Sequence, residues 1–64
     1  MNRIDSLLRL EEVIEVTRLS RSSIYKLVGR GIFPRPIKIG RSIRWRAGDI
    51  ESFIEERAAV AQKK

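Results

Sequence analysis

The polar and basic side chains of one short segment in the first half of the chain are the groups best suited to binding a ligand. Ser20 has the hydroxyl of a helix N-cap, and Gly31 tolerates the left-handed conformation that ends many helices. Between them Ile24, Leu27 and Val28 recur at helical spacing and define one apolar face. The opposite face is small, polar and basic and carries no carboxylate. Such a face can approach a polyanion closely, which is typical of a DNA recognition helix.

The side chains of this predicted second helix divide between two kinds of DNA contact. Lys26 and Ser22 lie on its outer face and suit base edges or phosphate. Arg21 and Ser23 lie in its first turn, where free backbone N–H groups also attract a phosphate oxygen, although Ser23 equally suits a helix cap. Tyr25 either contacts phosphate or covers the edge of the core. The candidate contacts here are Ser20, Arg21, Ser22, Ser23, Tyr25, Lys26 and Arg30.

A second basic segment has the pattern of a β-hairpin. Residues Ile37–Ile39 and Ile43–Trp45 alternate apolar and basic with period two, and Gly40–Ser42 has the length of a three-residue loop. The residues expected to face the core are Ile37, Ile39, Ile43 and Trp45. Arg41 at the tip suits the negative potential of a minor groove. The candidate DNA contacts of this hairpin and its flanks are Arg35, Lys38, Arg41, Ser42, Arg44 and Arg46.

The distribution of charge supports a polyanionic partner more strongly than the net charge of +6 does. Between Val16 and Gly48 the chain has nine basic residues and no acidic residue, whereas all eight acidic groups lie outside this segment. A solvated surface normally mixes both signs, so a one-sided segment indicates an anion-binding surface. Accidental clustering in an ordinary basic protein is the alternative interpretation.

Two further helices would hold the second helix and the hairpin in place. The first is expected over about Glu11–Thr17, after a very short strand or extended segment at residues 8–10. Val13 and Val16 are expected to face inward, and Ile14 is a further candidate for that face. The last is expected over about Ala47–Ala61, with an apolar stripe of Ile50, Phe53, Ile54 and Ala58. The predicted fold class is mostly α with a small β-hairpin wing, a winged helix-turn-helix. The turn lacks its usual glycine, with Thr17 or Arg18 near that place.

The length of 64 residues bounds the organisation of the chain. We expect one small domain over residues 8–58, between a short disordered N-terminal arm at 1–7 and a frayed tail at 59–64. No apolar run approaches a membrane span or a signal peptide, so we expect a soluble, cytoplasmic protein without a membrane partner. The expected binding to DNA would make it nucleoid-associated.

Composition argues against catalysis. The chain has no cysteine and no histidine, which excludes disulfides, thiolate chemistry, the usual zinc sites and an imidazole base. Its serines therefore lack a histidine partner, and no cluster of carboxylates follows a metal-binding pattern. We expect no enzyme activity, no metal, no cofactor and no small-molecule ligand.

Several segments together resemble a known family. They are Leu8-Arg-Leu10 with Glu12-Val13, Leu19-Ser-Arg-Ser-Ser-Ile-Tyr-Lys-Leu-Val28, Gly31-Ile-Phe-Pro-Arg-Pro-Ile-Lys-Ile-Gly40, Ile43-Arg-Trp45 and Ile50-Glu-Ser-Phe-Ile-Glu-Glu-Arg57. In this order they resemble AlpA-type prophage regulators, within the MerR-like winged helix-turn-helix group that includes phage excisionases. The resemblance implies a small DNA-binding protein that controls transcription of integrase or excision genes, and some relatives bend attachment-site DNA for an integrase.

Three functional hypotheses follow from these observations. The first is a sequence-specific transcriptional regulator whose second helix enters the major groove of double-stranded DNA while the wing contacts the minor groove or backbone. The second is an excisionase that uses the same surface with an integrase as partner. The third, from another class, is an adaptor whose basic face docks an acidic protein. A single helix reads few base pairs, so cooperative or dimeric binding to DNA is also expected.

Overall fold

The described residues, 6–62 of a computed structural model, form a winged helix-turn-helix, as the sequence predicts. The elements in chain order are β1 (Leu7–Leu8), α1 (Leu10–Thr17), α2 (Arg21–Gly29), β2 (Ile37–Ile39), β3 (Ser42–Arg46) and α3 (Ala47–Gln62). The strands form one antiparallel sheet in the order β1-β3-β2. The short β1 therefore completes a sheet whose other two strands are the hairpin wing.

Both ends of α2 are set by local chemistry. The Ser20 hydroxyl accepts a hydrogen bond from the Ser23 backbone N–H at 3.1 Å, which caps the first turn. At the other end Gly31 has a φ of 75°, and the Ile32 N–H donates to the Leu27 carbonyl at 3.0 Å. This bond across a left-handed glycine is the Schellman arrangement that ends helices.

Replacing Ser20 with alanine is expected to lower the free energy of unfolding by about 1 kcal/mol, because it removes the N-cap acceptor. Urea denaturation followed by tryptophan fluorescence measures the change. The matched variant Ser52→Ala, at an exposed position inside α3, should be neutral or slightly stabilising, since alanine is the better helix former. Equal effects of the two substitutions would argue against the cap.

The turn between α1 and α2 is closed by a residue in an unusual backbone conformation. Arg18 has φ 63° and ψ 19°, in the left-handed region, and its N–H donates to the Ile14 carbonyl at 2.6 Å. The Thr17 hydroxyl donates to the Val13 carbonyl at 2.8 Å and accepts a bond from the Leu19 N–H at 3.2 Å. Arg18 thus occupies the place of the missing turn glycine.

Replacing Arg18 with glycine is expected to raise the free energy of unfolding by about 0.5 to 1 kcal/mol. Glycine reaches positive φ without a Cβ clash, although it also loses more chain entropy on folding. The control is Arg30→Gly, where the φ of −89° needs no glycine and a small loss is expected. Urea denaturation measures both, and a loss of stability in both variants would contradict this account of the turn.

The hairpin loop is one residue shorter than the sequence suggests. Ile39 pairs with Ser42, so the loop consists of Gly40 and Arg41 alone, and the predicted three-residue loop is wrong. Gly40 has a φ of 60° at the first central position, which is the place that a type II′ turn reserves for glycine. Ser42, predicted as the last loop residue, is the first residue of β3.

This shorter loop reverses the faces of β2 relative to β3. Because side chains alternate along a strand, a shift of one residue moves a whole strand's side chains to the other face. Ile37 lies opposite Arg44, and Lys38 lies opposite Ile43. The prediction that Ile37 and Ile39 face the core is therefore wrong: they are 37% and 51% exposed.

The core collects side chains from α1, α2, β3, α3 and the segment after α2. Its buried members are Val13, Ile24, Phe33, Trp45 and Ile50. The Trp45 indole N–H donates to the Pro34 carbonyl at 2.8 Å, so its polar atom is satisfied inside the core. The Phe33 ring meets Trp45 edge-on at 6.3 Å between centroids and lies 4.7 Å from the Phe53 ring.

Two predicted helix stripes are partly wrong. Val16 is 55% exposed, because Leu10, Val13 and Thr17 centre the inner face of α1 about 100° away from it. On α3, Ile50 and Phe53 pack inward as predicted, but Ile54 and Ala58 are exposed. Every described side chain from 54 to 61 is exposed, because this half of α3 extends past the core.

The predicted domain boundaries coincide only roughly with the elements. Most of the predicted arm lies outside the described residues, but Leu7 belongs to β1 and pairs with Arg46. Of the predicted tail, residues 59–62 continue α3, since alanines favour the helix and no glycine or proline ends it, while 63–64 lie outside the described residues. None of the described helices is long and apolar enough to cross a membrane.

Candidate nucleic-acid interface

The outer face of α2 presents four of the predicted contact residues to solvent. Ile24 on the opposite side is fully buried, which fixes the rotation of the helix about its axis. As a result the side chains of Arg21, Ser22, Tyr25 and Lys26 are all exposed. A short helix that is anchored on one side and polar and basic on the other can lie against a nucleic acid without repacking.

The start of α2 is a cluster of hydroxyls. The Ser20 and Ser23 hydroxyls are hydrogen-bonded to each other at 3.0 Å, and the Ser22 hydroxyl lies 3.4 Å from that of Ser20. Ser20 is engaged in capping, so the structure supports a structural role for it beside any DNA contact. Free first-turn N–H groups, serine hydroxyls and the adjacent Arg21 together suit a phosphate oxygen.

The wing carries most of the other predicted contacts, and almost all are exposed. Arg41 lies in the two-residue loop at the tip, and Ser42 follows it at the start of β3. Arg44 is half-buried, and its guanidinium donates to the Ile43 carbonyl at 2.8 Å, which restricts its orientation. The remaining exposed candidates are Arg30, Arg35, Lys38 and Arg46.

A cleft of about 290 Å³ is lined by residues of both α2 and the wing. Its lining includes Tyr25 of α2, Arg44 of β3, and Arg9, which directly precedes α1. Glu11 also lines this cleft and brings one carboxylate to it. The structure thus brings Tyr25 and Arg44 together and adds Arg9, which the sequence left unassigned. Arg9 reaches this place because β1 pairs with β3, and that long-range pairing leaves no clear signal in the sequence.

Charge is segregated among the described elements. The helix α2 and the strands β2 and β3 contain no carboxylate, whereas α1 and α3 contain seven. These seven are Glu11, Glu12, Glu15, Asp49, Glu51, Glu55 and Glu56. The elements without carboxylates are therefore the second helix of the helix-turn-helix and the two strands of the wing.

Two other cavities border α3. One, of about 380 Å³, is an apolar groove between Val16, Leu27 and Ile54, bordered by Arg57. Another lies between Phe33 and α3 and contains Asp49 and Glu56. Within residues 6–62 no group of three or more histidine, cysteine or carboxylate side chains could hold a metal ion.

Comparison with known proteins identifies a family and a relative that match most of the chain. A family model described as "Prophage CP4-57 regulatory protein (AlpA)" matches residues 6–58. A protein of Enterobacteria phage P4, named "Uncharacterized protein ORF88", is 34% identical over 53 residues, which cover 81% of this chain and 60% of that relative. The chain thus spans less than two thirds of the length of this relative. The family match includes α2, the wing and the cleft between them.

Proposed function

This chain belongs to the AlpA family of prophage regulatory proteins, and we propose that it is a sequence-specific DNA-binding transcriptional regulator of a prophage or integrated element. The observation that carries the proposal is the arrangement of α2. This helix is held at both ends and on its inner face, while its outer face is polar, basic and free of carboxylates.

The proposed recognition element is α2 in the major groove, where base edges carry a readable pattern of donors and acceptors. Lys26 and Ser22, in the middle of the exposed face, contact bases or phosphate. Arg21 and the N-terminal N–H groups hold a phosphate beside them. Tyr25, close to the wing, contacts the DNA backbone together with Arg44.

The wing is the second contact. Arg41 at its tip enters the adjacent minor groove, where a cation meets enhanced negative potential. Lys38, Arg44 and Arg46 contact phosphates or extend the positive field, with Arg35 and Ser42 at the edges of the surface. These contacts position the protein on DNA of any sequence, whereas α2 discriminates among sequences.

Useful specificity requires more than one copy of the protein on DNA. One recognition helix reads only a few base pairs, so we propose cooperative or dimeric binding to repeated or inverted sites, on the nucleoid in the cytoplasm. An integrase is the further partner if the protein acts in excision. The same surface serves a regulator and an excisionase, and only the location and consequence of binding separate them.

The experiment that tests this proposal is a pulldown of sheared host and element DNA by tagged protein at about 150 mM salt, followed by sequencing. The proposal predicts a sharp peak that the double variant Arg21→Ala, Lys26→Ala loses, because base contacts discriminate and phosphate contacts do not. A peak at a promoter indicates a regulator, and a peak at an attachment site with stimulated excision indicates an excisionase. Diffuse DNA enrichment that is unchanged in the variant would contradict the proposal. So would the absence of DNA enrichment together with tight binding to one acidic protein.

A further inference from the structure

The wing exposes two large apolar side chains that the core does not use. Ile37 and Ile39 lie on the same face of β2 and are 37% and 51% exposed. Their exposure follows from the two-residue loop, which fixes the register of the hairpin. They belong to β2, which is an edge strand of the sheet. Within the described residues, the exposed surface of these two isoleucines is therefore not packed against other apolar side chains.

The surroundings of this isoleucine pair are basic. Arg44 lies directly opposite Ile37, and Ser42 lies directly opposite Ile39 on the same face of the sheet. Arg41 adjoins Ile39 through the tight loop. No acidic residue occurs anywhere in α2, β2 or β3. This strand face combines isoleucines with arginines and has no carboxylate of its own, while Glu11 of α1 lines the adjoining cleft. Such a face is complementary to a polyanion that also offers apolar surface.

The isoleucine face also continues the proposed DNA surface. Arg44, which shares the face with Ile37, lines the same cleft as Tyr25 of α2. A duplex that contacts both Tyr25 and Arg44 would lie alongside the isoleucine pair. Ile39 is one residue from the loop, so it lies close to the part of a wing that reaches furthest into a groove.

We propose that Ile37 and Ile39 contact the floor of the DNA minor groove as an apolar wedge, and that the wing thereby bends the bound duplex. Apolar side chains inserted at a base step unstack it partly and kink the duplex toward the major groove. The flanking arginines hold the phosphates on either side of the widened groove. This inference rests on the proposed function, because it needs the protein to lie on DNA through α2 and the wing.

The test measures binding and bending separately on one probe. An A·T-rich duplex of about 30 bp carries a donor dye at one end and an acceptor at the other, and is titrated at about 50 mM salt, where sequence-independent phosphate contacts suffice for binding. Anisotropy reports binding. Energy transfer between the dyes reports the distance between the two ends of the duplex, which becomes shorter when the duplex bends. Wild-type protein is expected to raise energy transfer on binding, and Ile37→Ala, Ile39→Ala is expected to lose most of that rise while still binding.

The control variant is Ile54→Ala on α3, which has the same 37% exposure as Ile37 and lies outside α2 and the wing. It should bind and bend DNA as the wild type does. Circular dichroism and thermal unfolding verify that all variants are folded, which is expected because the substituted side chains lie outside the buried core.

The outcomes separate this inference from the proposed function. If wild-type protein does not bind the duplex, both fail. If it binds without a rise in energy transfer, or if the double variant bends DNA as the wild type does, the wedge is wrong while DNA binding stands. If the substitutions instead change the sedimentation of the free protein, β2 joins two copies and the wedge is also wrong.

Discussion

Replacing Trp45 with alanine is expected to abolish cooperative unfolding and leave the chain largely unfolded at 25 °C. Trp45 is fully buried, meets Phe33 edge-on and belongs to the same core cluster as Ile50 of α3. Truncation of a buried tryptophan costs about 3 to 5 kcal/mol. A domain below about 70 residues rarely gains more than about 3 to 5 kcal/mol from its core, so the loss equals the whole stability.

The same substitution removes a polar contact that holds the segment before the wing. Without the indole N–H, the Pro34 carbonyl loses the partner that lies 2.8 Å away in the native protein. The segment from α2 to β2 would then lose its link to β3. Circular dichroism and thermal unfolding measure the effect, and DNA binding should disappear together with the fold.

Two control substitutions separate the loss of the core from a general sensitivity to mutation. Trp45→Phe retains most of the apolar volume and should remain folded with a lower melting temperature. Val60→Ala, on the exposed half of α3, should change the free energy of unfolding by less than about 0.5 kcal/mol. A Trp45→Ala protein that still unfolds cooperatively within a few degrees of wild type would contradict the core described above.

Reversing the charge of Lys26 is the second substitution with a large expected effect. Lys26→Glu should weaken binding to the specific site by about 100-fold, which is about 2.8 kcal/mol. It removes a cation from the middle of the exposed face of α2 and places a carboxylate against the phosphates or base edges. The fold should survive, because the side chain is exposed and lies opposite the buried Ile24.

The matched control is Arg57→Glu, which changes the net charge by the same amount. Arg57 is exposed on α3, outside α2 and the wing, where it borders the apolar groove and its guanidinium carbon lies 5.8 Å from the Phe53 ring centre. Its reversal should weaken DNA binding less than about threefold, since only the long-range field changes. Fluorescence anisotropy with the specific duplex measures both variants, and equal losses would show that net charge, not α2, determines binding.

Local chemistry made the helix-turn-helix predictable from the sequence. The N-cap at Ser20 and the left-handed Gly31 act within one or two turns, so the residue types alone specify where α2 begins and ends. Burial of Ile24 follows from helical periodicity. Because those features fix the rotation of α2, the exposed positions of Arg21, Ser22, Tyr25 and Lys26 were also accessible from the sequence.

The register of the wing was not predictable in the same way. Ser42 is compatible with both a loop and a strand, so the pattern did not distinguish a three-residue loop from the two-residue turn that forms. That single residue decides which face Ile37 and Ile39 occupy. Likewise, the position of Arg9 beside Tyr25 and Arg44 depends on the pairing of β1 with β3 across almost forty residues, for which short-range patterns carry no information.

DNA binding through α2 and the wing should make the affinity depend strongly on salt, because neutralising phosphates releases bound counterions. If about six of the nine cations between Val16 and Gly48 contact phosphates, the slope of log affinity against log salt concentration should be about −5. Wild-type protein should give that slope. Arg21→Ala, titrated with the same duplex, should give a slope closer to zero by about 1, because the proposed contact of Arg21 is to a phosphate. A wild-type slope near zero would contradict DNA binding through α2 and the wing.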